Sequence, residues 1–382
     1  SELPNLTILN LFGCKNLNDL SELCELTNLT SLTIQETDLT NVDLSILSEL
    51  PNLTSLDLME CRILLDMSMV KELSELPNLT SFSIPFLNLG ELNELGEIPN
   101  LTGLDLSGSG ISDLSLLSGL TNLTTLDLSH TGIYDISELS KLPNLTSLNI
   151  SYNFVNDISI LSELPNLTSM DMCACYQISD ISVLSELPNL TNLNMGYINI
   201  SDISVLSELK NLTSLNLSAA NIYDIDSLGE LMNLTNLSLS GCHHISDISV
   251  LGELKNITTL NLTYTSVSDI NVLKDLPNLT HLNLSKCTNL IDISALQRLT
   301  NLTSLSLFEC KKLSDISVLS RLMNLTYLDL SYIGVRDFDI RTLRELTNLR
   351  HLELYGFKNI SEKQINDLRK YMPNCDILYL NL

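Results

Sequence analysis

The first residues in this chain whose type and spacing could support catalysis are carboxylates. They recur at one position of a repeated segment. Asp105, Asp127 and Asp171 share such a position. Paired carboxylates can act as general acid and base when burial separates their pKa values. The strands predicted below would place these three on an open sheet, which excludes little water. We therefore predict that the chain is not an enzyme, and it also lacks His-Glu-x-x-His and Gly-x-Ser-x-Gly motifs.

Cysteine and histidine side chains raise a second possibility, a metal site. Cys173 and Cys175 form a Cys-x-Cys pair, and His243 is followed by His244. Neither spacing is that of a structural zinc site, and the two pairs lie three repeats apart. We predict no metal and no cofactor, and we expect the nine cysteines to be free thiols.

The elements that must position these groups are repeats. An Asn-Leu-x-x-Leu-x-Leu pattern, with Ile once in place of the first Leu and a degenerate last copy, recurs from end to end of the 382 residues. Regular recurrence of a segment that contains L-x-x-L-x-L is typical of a leucine-rich repeat solenoid. We predict one domain, 1–382, of about 16–17 repeats. The pattern starts at Asn5, Asn28, Asn52, Asn78, Asn100, Asn122, Asn144, Asn166, Asn189, Asn211, Asn233, Asn256, Asn278, Asn301, Asn324, Asn348 and Asn374.

One repeat shows how the chain should fold. Leu215 and Leu217 alternate as in a strand, with Ser and Asn side chains facing outward. Ile222, Ile225 and Leu228 then recur every third residue, which favours a 3₁₀ turn over an α-helix. The predicted fold class is an α/β solenoid. It is a right-handed superhelix with a parallel concave sheet and a convex side of mostly 3₁₀ turns and loops.

The last repeat departs from this pattern. Ser361 is a plausible N-cap for an α-helix, and Pro373 would end that helix. Terminal repeats are atypical because one of their faces meets water. We therefore predict that 349–382 is a C-terminal capping repeat with a short helix.

Three polar columns accompany the leucines. The recurrent Asn is followed in most copies by Leu-Thr, formally a glycosylation sequon, but glycans about 5 Å apart could not all fit, so we predict a structural ladder. A second column is expected to donate a buried side chain to the next coil, and Cys287 and Cys310 in it could approach each other. A third, from Asp113 to Asp337, is expected to cap the outer turns. The second column holds Cys14, Cys61, Asn153, Cys175, Cys242, Cys287 and Cys310.

Large side chains interrupt the small polar residues that the sequence predicts for the outward strand positions. Aromatic side chains dominate protein interfaces, although scattered exposed aromatics are also normal. Their density rises after residue 260, so we predict a protein-binding site on the concave face of the C-terminal repeats. The predicted partner-binding residues are Tyr152, Tyr197, Tyr264, His281, Phe308, Tyr327, Tyr332, His351 and Tyr355.

The charge distribution limits the class of partner. The net charge of -26 disfavours non-specific binding to nucleic acid. Residues 1–297 hold 36 acidic and 8 basic residues, whereas 298–382 hold 10 and 12, so the C-terminal repeats could face a different partner or simply be less acidic. No apolar run of about 18 residues is present, and we expect no membrane insertion.

The run Ile-Ser-Asp-Ile-Ser-Val-Leu, at 178–184, 200–206 and 245–251, resembles the bacterial internalin-type leucine-rich repeat. This resemblance implies a non-enzymatic scaffold, here expected to be monomeric, that binds a host or cell-surface protein, or a surface glycan, through its concave face. It also implies a secreted or cell-surface location. The sequence has no immunoglobulin-like segment and no cell-wall anchor motif, so a cytoplasmic location stays open. A structural or adhesin spacer and an intracellular regulatory or effector module are the alternatives.

Overall fold

The computed structural model describes residues 3, 5–40, 42–61, 73, 75–83, 98, 100–335, 339–357 and 360–380. The chain forms two compact units, Ser1–Asn189 (unit 1) and Leu190–Leu382 (unit 2). In each unit the described strands pair in parallel, in chain order. The strands of unit 1 are β1 Ile8–Asn10, β2 Ser31–Thr33, β3 Ser55–Asp57, β4 Ser81–Ser83, β5 Gly103–Asp105, β6 Thr125–Asp127, β7 Ser147–Asn149 and β8 Ser169–Asp171.

Unit 2 continues the same pattern, and its described helix α1 is Glu362–Tyr371. Ser361 Oγ accepts from the Gln364 N–H while the Gln364 side chain accepts from the Ser361 N–H, so the predicted N-cap is confirmed as a capping box. The strands are β9 Asn192–Asn194, β10 Ser214–Asn216, β11 Asn236–Ser238, β12 Thr259–Asn261, β13 His281–Asn283, β14 Ser304–Ser306, β15 Tyr327–Asp329, β16 His351–Glu353 and β17 Asp376–Leu378.

Short 3₁₀ turns form the side opposite the strand in most of the described coils, as the three-residue period predicted. In unit 1 they span Ser21–Glu25, Ser45–Glu49, Leu114–Leu117, Ser137–Lys141, Ser159–Glu163 and Ser182–Glu186. In unit 2 they span Ser204–Glu208, Asp226–Glu230, Ser249–Glu253, Asn271–Asp275, Ser294–Arg298, Ser317–Arg321 and Ile340–Glu345. The predicted fold class, a leucine-rich repeat solenoid with a short C-terminal helix, is confirmed.

The core lies between the strands and the 3₁₀ turns. In β2 to β17 the middle residue is buried, and it pairs in register with its equivalent, as Leu215 does with Leu237, whereas Leu9 in β1 is half-buried. Ile222, Ile225 and Leu228 are at most 2% exposed, as predicted. The first and third residues of each strand face outward. Most of the described strands are followed by one more buried apolar residue. We call the surface formed by the outward strand residues, together with the residue after that buried one, the sheet face.

Side chains from the polar columns bond one coil to the previous one. The recurrent Asn donates its Nδ2–H to a backbone carbonyl one coil earlier, as Asn144 does to Thr121 at 2.9 Å. The Thr two residues later donates its hydroxyl in the same direction, as Thr146 does to Thr124 at 3.1 Å. The structural ladder is therefore confirmed. The hydroxyl bonds of these threonines form a second ladder, which explains why Thr recurs in the Asn-Leu-Thr motif. The sequence alone had not predicted this second ladder.

The aspartate column caps the outer turns, as expected. Asp180 Oδ1 accepts from the Ser182 N–H at 2.9 Å, and this bond lowers the pKa of the Asp180 carboxyl. Asp337 lies outside the described residues. In its repeat, Asp339 makes the capping bond to the Arg341 N–H, at 3.0 Å. The sequence had not selected Asp339.

The buried column joins adjacent coils, as predicted. Asn153 Nδ2 donates to Leu128 O at 2.7 Å, and the thiol of Cys242 donates to Leu217 O at 3.1 Å. Cys14 differs because it lies exposed in the first repeat. All nine thiols are free in the structure, and burial raises the pKa of Cys310 to about 12.

Candidate partner-binding surface

The nine predicted binding residues occupy three different backbone positions. Four of them lie in the turn after the strand, two residues beyond the second buried apolar residue, so their assignment to outward strand positions was wrong. This turn residue has a left-handed backbone in described repeats of both units, because its N–H must reach the next coil, as that of Tyr332 reaches Tyr355 O at 2.8 Å. The four are Tyr152 (φ 59°), Tyr197 (φ 60°), Tyr264 (φ 62°) and Tyr332 (φ 57°).

The other five residues belong to the sheet face. His281, Tyr327 and His351 are the first residues of β13, β15 and β16. Phe308 and Tyr355 directly follow the buried Leu307 and Leu354. The assignment to outward strand positions is therefore correct for His281, Tyr327 and His351, whereas Phe308 and Tyr355 begin the turn after the strand. Strand alternation did not predict the position of the four turn residues, because they lie beyond the last strand pair, where the alternation of side chains ends.

Rings and one ammonium group connect successive coils of unit 2 in what we call the aromatic row: His243, Tyr264, Lys286, Phe308 and Tyr332. The His243 and Tyr264 rings meet edge-on with centroids 4.8 Å apart. Lys286 Nζ lies 5.2 Å from the Tyr264 centroid and 5.7 Å from that of Phe308. Phe308 and Tyr332 meet edge-on at 5.8 Å. Aromatic pairs and cation–π contacts of this kind hold side chains in place before any partner binds.

A cavity of about 540 Å³ opens on the sheet face beside this row. Its walls bring together three predicted residues, His281, Phe308 and Tyr327, and two carboxylates that the sequence did not select, Asp329 and Glu353. Their signal was present in the sequence, because both occupy the third strand position, the column of Asp105 and Asp127. The predicted site is therefore partly assembled around this cavity.

Hydrogen bonds fix the carboxylate wall. Tyr327 Oη donates to Glu353 Oε1 at 2.9 Å, and the Tyr327 ring stacks on His351 at 5.4 Å. Burial and this hydrogen bond raise the pKa of Tyr327, so it stays a neutral donor. His351 Nε2 also lies 3.3 Å from Glu353 Oε1.

Asp329 is only 6% exposed at the base of the cavity. Its Oδ1 accepts from the Ser331 N–H at 2.8 Å, and its Oδ2 lies 3.3 Å from Ser306 Oγ. Burial raises the pKa of the Asp329 carboxyl. Both of these hydrogen-bond partners are neutral.

Unit 1 contains the carboxylates that could have formed a catalytic pair. Asp105 and Asp127 border an open depression of about 220 Å³ whose other described lining is Ser, Thr, Asn, Gly and apolar side chains. Burial, and to a lesser extent the charge of Asp127, raises the pKa of Asp105. Each Oδ1 accepts from the N–H two residues later, at 2.9 Å to Ser107 and 2.8 Å to Ser129. These aspartates therefore have a structural role in the turn.

The candidate metal ligands each have their own contacts. Cys175 donates to Ile150 O at 3.1 Å, His243 Nδ1 lies 3.0 Å from Tyr264 O, and His244 stacks on Tyr223. Across the part of the chain that the structure describes, no three His, Cys, Asp or Glu side chains come together as metal ligands would.

Exposed aromatic side chains that the sequence did not select lie elsewhere in the loops after the strands. In unit 1, Tyr134 stacks on Phe154 at 5.2 Å, and Tyr176 is 62% exposed. Tyr152 stacks on His130 at 4.2 Å in the same unit. Exposed rings are thus not confined to the predicted site.

Comparison with known sequences confirms the repeat class. The family described as Leucine Rich repeats (2 copies) matches residues 99–141, 121–163 and 143–186, and the family described as Zer-1-like, Leucine-rich repeats matches 270–333. No curated protein sequence matches the chain. The fold is a leucine-rich repeat solenoid, and leucine-rich repeat family models match two segments of the sequence.

Solved structures make the likeness more specific. An internalin, InlF of Listeria monocytogenes, is 27% identical over 94% of this chain and 89% of its own, with a TM-score of 0.58. A Leptospira interrogans LRR protein is 22% identical over 98% and 96%, with a TM-score of 0.67. The functional domain of Listeria monocytogenes InlJ, which includes a cysteine ladder, is 22% identical over 92% and 68%, with a TM-score of 0.53. The resemblance to internalin-type repeats is confirmed.

Among the described residues, no helix has the length and apolar character that crossing a bilayer requires.

Proposed function

We propose that this chain is a non-enzymatic scaffold that binds a protein partner through the sheet face of unit 2, from β12 to Tyr355, and through the aromatic row beside it. The observation that carries the proposal is the cavity of about 540 Å³ beside a row of rings already held by mutual contacts. Pre-organised aromatic side chains lose little entropy on binding and supply most of the affinity of an interface.

The exposure of the turn tyrosines supports the same proposal. A left-handed conformation costs a non-glycine residue about 1 kcal/mol. Ala174 and Ala219 adopt it at the same position, so the strain belongs to the repeat and does not mark a site. Tyr264 and Tyr332 differ because they present partly exposed rings, 49% and 39% exposed, and exposed aromatic side chains favour a binding surface.

Location and assembly belong to the same proposal. We propose a monomer that works in secreted form or at a bacterial surface, supported by the likeness to InlF. The net charge of -26 weighs against a nucleic acid partner. We also propose that 349–382 closes the end of the repeat array, supported by the amphipathic helix α1, which buries Ile365 and Leu368.

Affinity capture with mass spectrometry tests the proposal. The wild type should retain a partner that the Phe308→Ala/Tyr332→Ala variant loses. The matched control is Tyr134→Ala/Tyr176→Ala, which removes two exposed rings from unit 1. A partner retained equally by all three proteins would show that the site is wrong. A structural or adhesin spacer, the alternative function, predicts that no soluble partner is retained by any of them.

A further inference from the structure

Charge in the last repeats is divided between two sides of the coils, which the near-neutral count for 298–382 conceals. Most basic side chains described there belong to the outer 3₁₀ turns or to helix α1, whereas Asp329 and Glu353 face the cavity from the strands. The basic residues of the outer side are Arg298, Arg321, Arg341, Arg344, Lys363, Arg369 and Lys370. The cavity thus has an acidic wall in a stretch with little net charge.

Within the described part of the chain, neither carboxylate of this wall pairs with a lysine or arginine side chain. Asp329 has the Ser331 N–H and the Ser306 hydroxyl as partners. Glu353 has the Tyr327 hydroxyl and His351 Nε2. The buried Asp329 carboxylate, whose partners are neutral, gains when a cation enters, because the low local dielectric strengthens their attraction.

Flat rings complete the binding geometry. Phe308 and Tyr327 line the same cavity as the two carboxylates. Lys286 Nζ, 5.7 Å from the Phe308 centroid, shows that this ring accepts a cation. A guanidinium group can bond carboxylate oxygens with its edge and cover a ring with its face, whereas an ammonium group is a hydrated point charge. A volume of about 540 Å³ admits such a side chain.

We propose that this cavity receives an arginine side chain of the partner protein, with its guanidinium against Asp329 and Glu353 and its flat face against Phe308 or Tyr327. The inference rests on the proposed function and adds the chemistry of the anchor. It assigns Asp329 and Glu353 to charge recognition and the two rings to stacking.

The histidine imidazoles report on the cavity, because His281 lines it and His351 adjoins Glu353, whereas His130 lies in unit 1. NMR of the ¹³Cε1-labelled full chain would be recorded during titration with acetyl-Gly-Gly-Arg-Gly-Gly-amide. The same peptide with citrulline, which has the arginine shape without its charge, is the matched ligand control. We expect the arginine peptide to shift the His281 and His351 signals and leave His130 unchanged, and we expect the citrulline peptide to shift none.

Asp329→Asn tests the carboxylate without unfolding the turn. Asn283 and Asn261, at the same strand position, already accept the N–H two residues later, at 2.9 and 3.0 Å. We expect Asp329→Asn to weaken arginine-peptide binding about tenfold. Asp171→Asn, the same change at the same strand position in unit 1, should leave it unchanged.

Three results would overturn the inference: no shift with the arginine peptide at millimolar concentration, equal binding of the citrulline peptide, or unchanged binding by Asp329→Asn. These failures are distinct from failure of the proposed function. That function is judged by partner capture with the Phe308→Ala/Tyr332→Ala variant, whereas a partner lost by that variant and retained by Asp329→Asn would refute only the arginine anchor.

Discussion

The sheet faces of units 1 and 2 have the same strand plan and differ in the side chains that the plan carries. In unit 1, Asp105 borders a cavity of about 220 Å³ lined by small polar and apolar side chains. In unit 2, Asp329 occupies the same strand position beside rings and a cavity of about 540 Å³. Burial raises the pKa of both carboxyls. A raised carboxyl pKa thus occurs in both units and does not by itself mark a reactive site.

The largest expected effect concerns the buried column that joins the coils, which holds the amide of Asn153 in unit 1 and thiols in both units. Asn153 Oδ1 accepts from the N–H groups of Gly132 and Ile133, while its Nδ2 donates to Leu128 and Ile150 carbonyls. Asn153→Ala should cost roughly 3 kcal/mol of unfolding free energy, because several buried groups lose their partners.

The comparison variant is Cys287→Ala, which loses one thiol donor to Leu262 O and should cost about 1 kcal/mol. Urea denaturation followed by circular dichroism measures both variants. Equal costs would mean that the amide network of Asn153 adds nothing beyond the single bond that a thiol makes.

The second-largest expected effect is a difference in partner binding between unit 2 and unit 1. Phe308→Ala and Tyr332→Ala should each weaken partner binding by on the order of 2 kcal/mol, because buried aromatic anchors dominate interface energies. Their effect on unfolding should be small, since both rings lie outside the core. Calorimetric titration with the captured partner measures the loss. The Tyr134→Ala/Tyr176→Ala protein should bind like wild type, and a comparable loss there would move the interface to unit 1.

A glycine pair isolates the packing of Tyr332. Gly356 and Gly241 both have left-handed backbones, with φ of 81° and 77°, so an alanine should cost about 1 kcal/mol at either position. A Cβ on Gly356 would lie 2.5 Å from the Tyr332 ring, whereas one on Gly241 would meet Ala219 at an ordinary 3.5 Å. Thermal unfolding should therefore show a larger loss for Gly356→Ala. Equal losses would show that the Tyr332 ring moves away freely.

The smallest expected effect follows from the carboxyl pKa values. A raised folded-state pKa means that stability is present below the unfolded value of 3.8 and is lost as the pH rises through the folded value. Asp105→Asn and Asp329→Asn should therefore be slightly more stable than wild type at pH 7, and this gain should vanish below pH 3.8.

Asp180→Asn should behave in the opposite way. Its folded-state pKa is lowered by the capping bond, so its contribution is present above pH 3.8 and is lost as the pH falls further. Urea denaturation of the three variants at pH 7 and pH 3 tests the signs. The same sign for all three would contradict the assigned causes.

Local repetition made most of the fold predictable. Alternating Leu residues predicted the strands, and the three-residue period of Ile and Leu predicted the 3₁₀ turns, because both patterns act within a single coil. The αL position of Tyr264 and Tyr332 was not predicted, since it depends on where the N–H finds its partner in the next coil. The acidic wall also escaped prediction, because the charge count along the chain mixes the two sides of each coil.

Hydrogen–deuterium exchange of the full chain, alone and with its captured partner, tests the central claim that the sheet face of unit 2 is the recognition surface. Backbone amides between β12 and Tyr355 should gain protection on binding, with the largest gain around β14 and β15. Amides around β5 and β6, beside Asp105 and Asp127, should exchange as they do in the free protein. Protection confined to unit 1, or to the outer 3₁₀ turns of unit 2, would contradict the account.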